Sequence, residues 1–467
     1  MNKKLGQDAI YDARELGIPR MLLLGLQHLF AMFGATVLVP ILVSGYGLPL
    51  SIQTTLLFAG IGTLLFHVCT KFKVPAFLGS SFAFLGGFQA VANLDSGKFA
   101  AMTGEEKLPY ALGGVVVAGL LYLVLALLFK LVGAKKVMRF FPPIVTGPII
   151  ILIGLNLAGS AINNIQTFEN FTPGYYWSWG IALFVCLLAI ILSSYGKGML
   201  KMSSIVISLV SGYLVTLIAV ETGLAPEGLT DFAKVSARSW LEVPDVTLPT
   251  FDFAGRGDQI LRAVASVAPI AIVTVVEHVG DVYANGAVVG RDFTKDPGLH
   301  RTMLGDGLAT MAAGVLGGPP NTTYSENTAV LAATGNYNPV TLRIAALVAI
   351  VVSFFGKAIG VIETIPTCVL GGACIVLYGM ISSVGLRTLV ENHVDFTKNR
   401  NLCIAAVMLV LAIGEAVIGG PDFSLTNIGL GIIAGILLNL ILPEPKEPDP
   451  SLIAHTVEES EIVEERK

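Results

Sequence analysis

Charge is what this sequence has least of. Of its 467 residues only 13% are Asp, Glu, Lys or Arg, whereas a water-soluble domain carries roughly 25%. Such a chain cannot face water on every side. The basic residues form no stripe, which argues against a nucleic-acid binder. Cysteine is also scarce: Cys69, Cys186, Cys368, Cys374 and Cys403 are the full set. All lie in apolar surroundings without metal-ligand spacing, so they are expected to be small buried hydrophobes. No His set completes a usual metal site, and no nucleophile stands beside a base. Neither a metal, a cofactor nor an enzymatic reaction is expected. The opening MNKKLGQDAIYDARELGIPR is too polar, and too long before the first apolar run, for a cleaved signal peptide. The first apolar run is therefore expected to be retained.

What the chain does have is length of apolar run. Apolar residues make up 54% of it. Runs of about 20 residues, enough to cross ~30 Å of hydrocarbon, recur from Met21 to Leu442. They predict an all-α polytopic membrane protein with fourteen spans: 21–44, 51–70, 76–92, 109–132, 142–163, 175–194, 202–222, 260–288, 302–317, 321–336, 340–362, 365–386, 402–419 and 425–442. The third and the tenth are short and rich in Gly, Ser, Thr and Pro. The stretch 223–259 is the one long loop, with Pro244 and Pro249 among alternating apolar residues, and reads as a small ordered cap. The tail 443–467 is Pro-rich and acidic and is expected to be disordered.

The positive-inside rule tests this count. With residues 1–16 and Arg20 in the cytoplasm, fourteen alternating spans put Lys71, Lys73, Lys135, Lys136, Arg139, Lys197, Lys201, Arg291, Lys295, Arg301, Arg343, Arg387, Lys398 and Arg400 on the same side. Both termini are then cytoplasmic. Dropping one short span alone would invert everything after it. The two short spans occupy corresponding places in two blocks of seven. Seven is odd, so the second block starts from the opposite face, the inverted-repeat plan of many secondary transporters. Interrupted spans in matching places mark a binding site, because exposed backbone is tolerated at membrane depth only where it lines a cavity.

Ionisable residues inside spans are costly and usually functional. Glu277 and Asp281, in EHVGD, are four apart and share one helix face. Two carboxylates there must meet a proton, a cation or a donor-bearing ligand. In GGPPNTTYSENTAV the Gly-Gly-Pro-Pro run breaks a helix, and Glu326 falls near the start of the next. Free N–H groups at that start can bind an acceptor, while Glu326 can accept from a donor. The pair suits a ligand with alternating C=O and N–H groups; the plainer reading makes Glu326 a helix cap. In VPAFLGSSFAFLGG, Phe82 and Phe84 are either core or a stacking surface for a flat ring. His28 reads as a structural donor or a functional one, and Asp306 as a helix cap or a deeper polar partner.

The motifs LQHLFAMFGATVLVP, PAFLGSSFAF, EHVGD, DPGLHR and PNTTYSEN together resemble the nucleobase–ascorbate transporters, also called nucleobase:cation symporters-2, and among them the bacterial uracil permeases. The resemblance runs from about residue 17 to 442. It implies fourteen spans in two inverted sevens, with short strands in spans 3 and 10. It further implies a core of spans 1–4 and 8–11 (about 17–134 and 258–362), a gate of spans 5–7 and 12–14 (about 140–222 and 365–442), and a homodimer in the plasma or inner membrane. By the same resemblance Glu277 and Glu326 contact a nucleobase, Phe82 lies against its ring, Ser325 offers a main-chain N–H, and Tyr324 and Tyr378 complete an apolar wall. The activity implied is proton-coupled import of a nucleobase, of the uracil type, by alternating access. Glu277, Asp281, His28 and Asp306 are the candidate proton carriers.

Three features depart from the family pattern, one of them Asn327-Thr328-Ala329, where the signature usually reads Asn-x-Gly and the Gly is lost. Asp281 stands where related uracil permeases can have His, and Asp306 also looks like the xanthine and purine branch, which makes a purine-base symporter the alternative. Glu326 is the uracil-type choice, where xanthine carriers more often have Gln. From another class, a passive nucleobase channel would need a continuous polar pore rather than one clustered site.

Overall fold

A backbone in hydrocarbon has no water to bond to, so apolar runs of Leu, Ile, Val and Ala satisfy their N–H and C=O groups as helices. The computed structural model describes residues 10–12, 16–95, 97–251, 257–414, 416–419 and 424–443. Lys3, Lys4, Arg14 and the acidic tail from 444 onward lie outside the described residues. The first half contains α1 (Gly17–Gly45), α2 (Ile52–Cys69), β1 (Leu78–Ser80), α3 (Leu85–Ala92), α4 (Gly104–Val132), α5 (Pro143–Ile165), α6 (Pro173–Tyr195) and α7 (Ser204–Glu221). The second contains α8 (Gly257–Val267), α9 (Ile270–Val289), α10 (Leu299–Val315), β2 (Asn321–Thr323), α11 (Ser325–Thr334), α12 (Pro339–Val352), α13 (Gly356–Glu363), α14 (Thr367–Glu391), α15 (Asn399–Ile413), β3 (Val417–Gly419), β4 (Ser424–Thr426) and α16 (Asn427–Ile441). Short polar side chains start several of them: Thr103 and Glu106 form a reciprocal cap on α4, and Asn338 caps α12 ahead of Pro339.

Among the described residues, eight helices are long and apolar enough to cross a membrane, taking α8 and α9 as one; a ninth is added if α12 and α13 count as one span. Those two are bent by 85°, so the expected straight span 340–362 is broken. The polar and aromatic residues Ser353, Phe354 and Phe355 separate them, and α13 turns away to lie on the short helix Ala233–Ala237 of the 223–259 stretch. The expected span 402–419 is likewise shortened. Its helix ends at Ile413, capped by Gly414, and β3 pairs antiparallel with β4. Two cysteines depart from expectation: Cys403 is exposed, and Cys69 is only partly buried.

Helix packing partners recur in matched pairs. Helix α4 lies against α10, and α12 against α2; α6 lies against α14, and α15 against α5. Likewise α6 packs on α7 and α15 on α16, while α1 packs on α12 and α8–α9 on α4. Around the C-terminal end of α2, Lys73 reaches Asp296 at 2.6 Å, Arg301 donates to the Cys69 carbonyl at 3.1 Å, and the Arg343 guanidinium sits 5.0 Å from the Phe72 ring centre. Around the N-terminal ends of α2 and α4 and the end of α13, the Thr54 hydroxyl donates to the Asp245 carbonyl, the Thr250 N–H to the Pro109 carbonyl at 3.2 Å, and Arg238 pairs with Glu363 at 2.7 Å. Residues 223–251 thus form an ordered cap, tied down through Arg238, Glu242 and Glu363.

Candidate functional site

Two chain breaks meet at the centre of the fold. Helix α2 ends at Cys69, ahead of Pro75, and α10 ends at Val315, ahead of the Gly317–Pro320 run; Gly317 takes φ +97°, open to glycine and strained for other residues. The extended residues that follow need partners for their backbone groups, and they find each other. Strand β1 pairs antiparallel with β2 in the register Leu78↔Thr323, Gly79↔Thr322 and Ser80↔Asn321. The ladder is continued by Tyr324 N–H to Phe77 and Ser81 N–H to Pro320, each 2.9 Å. Two threonines bracket the pair. Thr63 of α2 accepts from Leu78 N–H at 2.9 Å and donates to its carbonyl at 3.2 Å; Thr310 of α10 accepts from Asn321 N–H at 3.2 Å and donates to its carbonyl at 3.1 Å. Beyond the strands the chain resumes as helix, through a turn at Phe82–Phe84 into α3 and directly at Ser325 into α11.

Tyr324 holds the strands to α1. Its hydroxyl donates to the Ser80 carbonyl at 2.8 Å and lies 3.3 Å from the Thr36 hydroxyl. Its ring covers Gly79 so closely that a Cβ there would come within 2.5 Å of it. The residue expected to form part of an apolar wall therefore also braces the strand pair, a role the sequence did not reveal.

Glu277 and Asp281 project from α9 toward this strand pair. The Thr323 hydroxyl donates to Asp281 at 2.7 Å. Glu277, Ser325 and Glu326 are exposed side chains. Glu277 is within electrostatic range of both Glu326 and Asp306. Of the two phenylalanines, Phe84 is fully buried and Phe82 is partly open. The structure thus gathers Glu277, Asp281, Ser325 and Glu326 around the paired strands, with Phe82 opening the helical turn that follows β1.

The remaining candidates sit behind this group. Asp306 is fully buried, with its carboxylate 3.0 Å from His278 Nδ1 but not aligned for a hydrogen bond. It is a deep polar partner rather than a helix cap. His28 is also fully buried; its carbonyl and Nδ1 meet the Asn327 amide at 3.0 and 3.2 Å, which fastens α11 to α1. Asn285 donates to the Pro75 carbonyl at 2.9 Å and to Thr328 at 3.3 Å. Tyr378 lies beside Cys374 and Tyr46, and the Tyr46 hydroxyl is 3.3 Å from that of Ser160. Among the described residues no three His, Cys, Asp or Glu side chains gather as a metal-binding set. The role of Asn285 was not legible in the sequence; a polar side chain inside an apolar run was the available signal.

Compared with known proteins, the chain matches a protein family described as the permease family over residues 19–419. The chain belongs to this permease family. The permease is 45% identical over 423 residues to the uracil permease of Bacillus caldolyticus, covering 90% of this chain and 91% of that protein. It is 38% identical to the uracil permease of Bacillus subtilis (strain 168), covering 90% and 92%. It is 35% identical to the uracil permease of Escherichia coli (strain K12), covering 94% and 95%. Among solved structures, the transmembrane domain of the cyanobacterial bicarbonate transporter BicA matches with a TM-score of 0.62 at 16% identity, covering 93% of this chain and all of that one. That likeness is one of fold. The permease is a multi-pass helical membrane protein with a transporter fold, and its relatives are permeases rather than enzymes.

Proposed function

We propose that this permease is a proton-coupled, secondary active importer of a nucleobase, and that the base is uracil. The observation that carries the reading is the placement of Glu277 and Glu326 within electrostatic range of each other beside the paired strands. A uracil ring alternates N–H donors and C=O acceptors along its edge. Glu326 can accept from ring N–H groups while the Ser325 N–H, unpaired within its helix at that position, donates to a ring carbonyl. Glu277 binds the other polar edge, and Phe82 lies against the ring face. The near-complete alignment with relatives named uracil permeases favours uracil. Asp281 in the place of a histidine favours the purine-base alternative.

Coupling is assigned to Glu277 and Asp281. One helical turn apart within a membrane span, they cannot both ionise cheaply, so they hold a proton as a pair. Asp306 and His28 are the reserve candidates. Transport is by alternating access: α1–α4 and α8–α13 form a core that moves against a gate of α5–α7 and α14–α16. Helices within each group pack chiefly on one another, which is what a moving boundary between them requires.

The full topology belongs to the same proposal: fourteen crossings in two inverted repeats of seven, both termini cytoplasmic. Three things support it. Helix partners recur seven segments apart. Thr63 and Thr310 bracket their strands in the same way. The loop contacts all join loops that the span count puts on one face. A homodimer is proposed from the family resemblance.

Uptake of labelled uracil into proteoliposomes with an imposed pH gradient tests the function, with unlabelled xanthine, hypoxanthine and thymine as competitors. Accumulation that needs the gradient and yields only to pyrimidines is expected. Xanthine competing better than uracil would move the substrate to the purine branch. Unsaturable flux, indifferent to the gradient, would make the protein a channel.

A further inference from the structure

Helix α9 and the β2–α11 segment, which carry the two site glutamates, are tied together along one helix face. Asp281, Asn285 and Val289 are each four residues apart and so share a face of α9. Asp281 accepts from Thr323 at 2.7 Å, beside the site, and Asn285 donates to Thr328 at 3.3 Å, one turn further on. At the third position the partner comes from elsewhere in the chain. The hydroxyl of Tyr11 donates to the Val289 carbonyl at 2.8 Å.

Tyr11 belongs to a short N-terminal piece that also holds the end of α11. The Ile10 N–H donates to the Gly335 carbonyl, and the Tyr337 N–H donates back to Ile10, both at 2.9 Å. The Asn338 amide donates to the Tyr11 carbonyl at 2.8 Å. The Tyr11 ring lies 5.5 Å from the Tyr337 ring and 4.9 Å from the Arg291 guanidinium. Each helix ends at a left-handed glycine, Gly290 and Gly335, and leaves terminal carbonyls without intrahelical donors. The N-terminal piece supplies donors to both ends at once.

We infer that Ile10–Asp12 is a clip, with Tyr11 as its positioning residue, that fixes the spacing of α9 and α11 and thereby of Glu277 and Glu326. The clip rests on the reading of those two glutamates as the substrate pair. Tyr11 touches no substrate; it acts through the carbonyl end of α9. It is 43% exposed, so its replacement opens no cavity in the core.

The test uses the full-length protein with Tyr11→Phe, which removes only the hydroxyl, and Tyr11→Ala, which also removes the ring contacts. Uracil is titrated by calorimetry, and amide hydrogen exchange is followed over 286–291 and 331–338 in the absence of uracil. One lost hydrogen bond corresponds to roughly a threefold to tenfold rise in dissociation constant. A rise of about threefold is expected for Tyr11→Phe and a larger one for Tyr11→Ala, with faster exchange at both helix ends. A role confined to fold stability would lower the melting temperature and leave uracil affinity unchanged. Unchanged exchange in Tyr11→Ala overturns the clip, as does unchanged affinity in both variants when the wild type binds uracil. If the wild type does not bind uracil, the substrate reading fails instead, and exchange alone decides the clip.

Discussion

The Thr323 hydroxyl lies 2.7 Å from an Asp281 carboxylate oxygen. It joins the interrupted span directly to the helix that carries Glu277. A hydrogen bond to a carboxylate contributes about 1.5–3 kcal/mol, so this contact links the site's charge to its backbone geometry. Thr323→Val is expected to weaken uracil binding and Thr323→Ser to restore it, since serine keeps the hydroxyl. Calorimetric titration in detergent separates the two. Equal affinities in the valine and wild-type proteins would remove the contact from the site.

Asp281→Asn keeps the size of the side chain and its hydrogen bonding to Thr323, and removes the charge. Concentrative uptake is expected to fall more than equilibrium binding does. Proteoliposome uptake over a range of imposed pH gradients, set against binding in detergent, measures the two separately. If the variant still accumulates uracil with wild-type pH dependence, the coupling proton lies elsewhere, and Asp306 or His28 follows as the next candidate.

Glu326→Gln replaces an acceptor pair with an amide that presents one acceptor and one donor. Losing a charge-assisted bond of this kind costs about 1.5–3 kcal/mol, so uracil affinity should drop about tenfold or more. An unchanged dissociation constant would leave Glu326 as a helix cap only.

Gly79→Ala would push a Cβ against the Tyr324 ring. Tyr324 is held by Ser80 and Thr36 and cannot withdraw freely. Overpacking of this kind costs about 1–3 kcal/mol, read as a lower melting temperature together with lost binding. Gly159→Ala meets nothing within 4 Å and is the matched control, expected to melt as the wild type does. Equal melting of the two variants would contradict the tight strand–ring packing.

Cysteines introduced at Val246 and at Lys295, with Cys403 replaced by serine, should react with an impermeant maleimide from opposite faces of right-side-out vesicles. Val246 is 55% exposed in the cap and Lys295 is also exposed. Labelling of both from one side would overturn the fourteen-crossing topology.

The sequence by itself determined that the protein is helical and membrane-embedded, because low charge and repeated runs of about 20 apolar residues leave no other way to satisfy the backbone. It also located the two breaks, since Gly317–Pro320 and the short run after Pro75 cannot continue a helix. It placed Glu277 and Asp281 on one face, because four residues make about one helical turn. Only the tertiary structure decided what the broken segments do with their free backbone groups. Residues 78–80 and 321–323 are far apart in the chain, and no local pattern says that they pair with each other. The same holds for Tyr324 over Gly79, for Asp306 beside His278 and for Tyr11 across the ends of two helices. The 85° bend between α12 and α13 was hidden as well, because hydropathy counts apolar residues and takes no account of the direction in which a helix resumes after three unfavourable ones. Periodicity fixes which residues share a face of one helix; packing between distant segments fixes which faces meet.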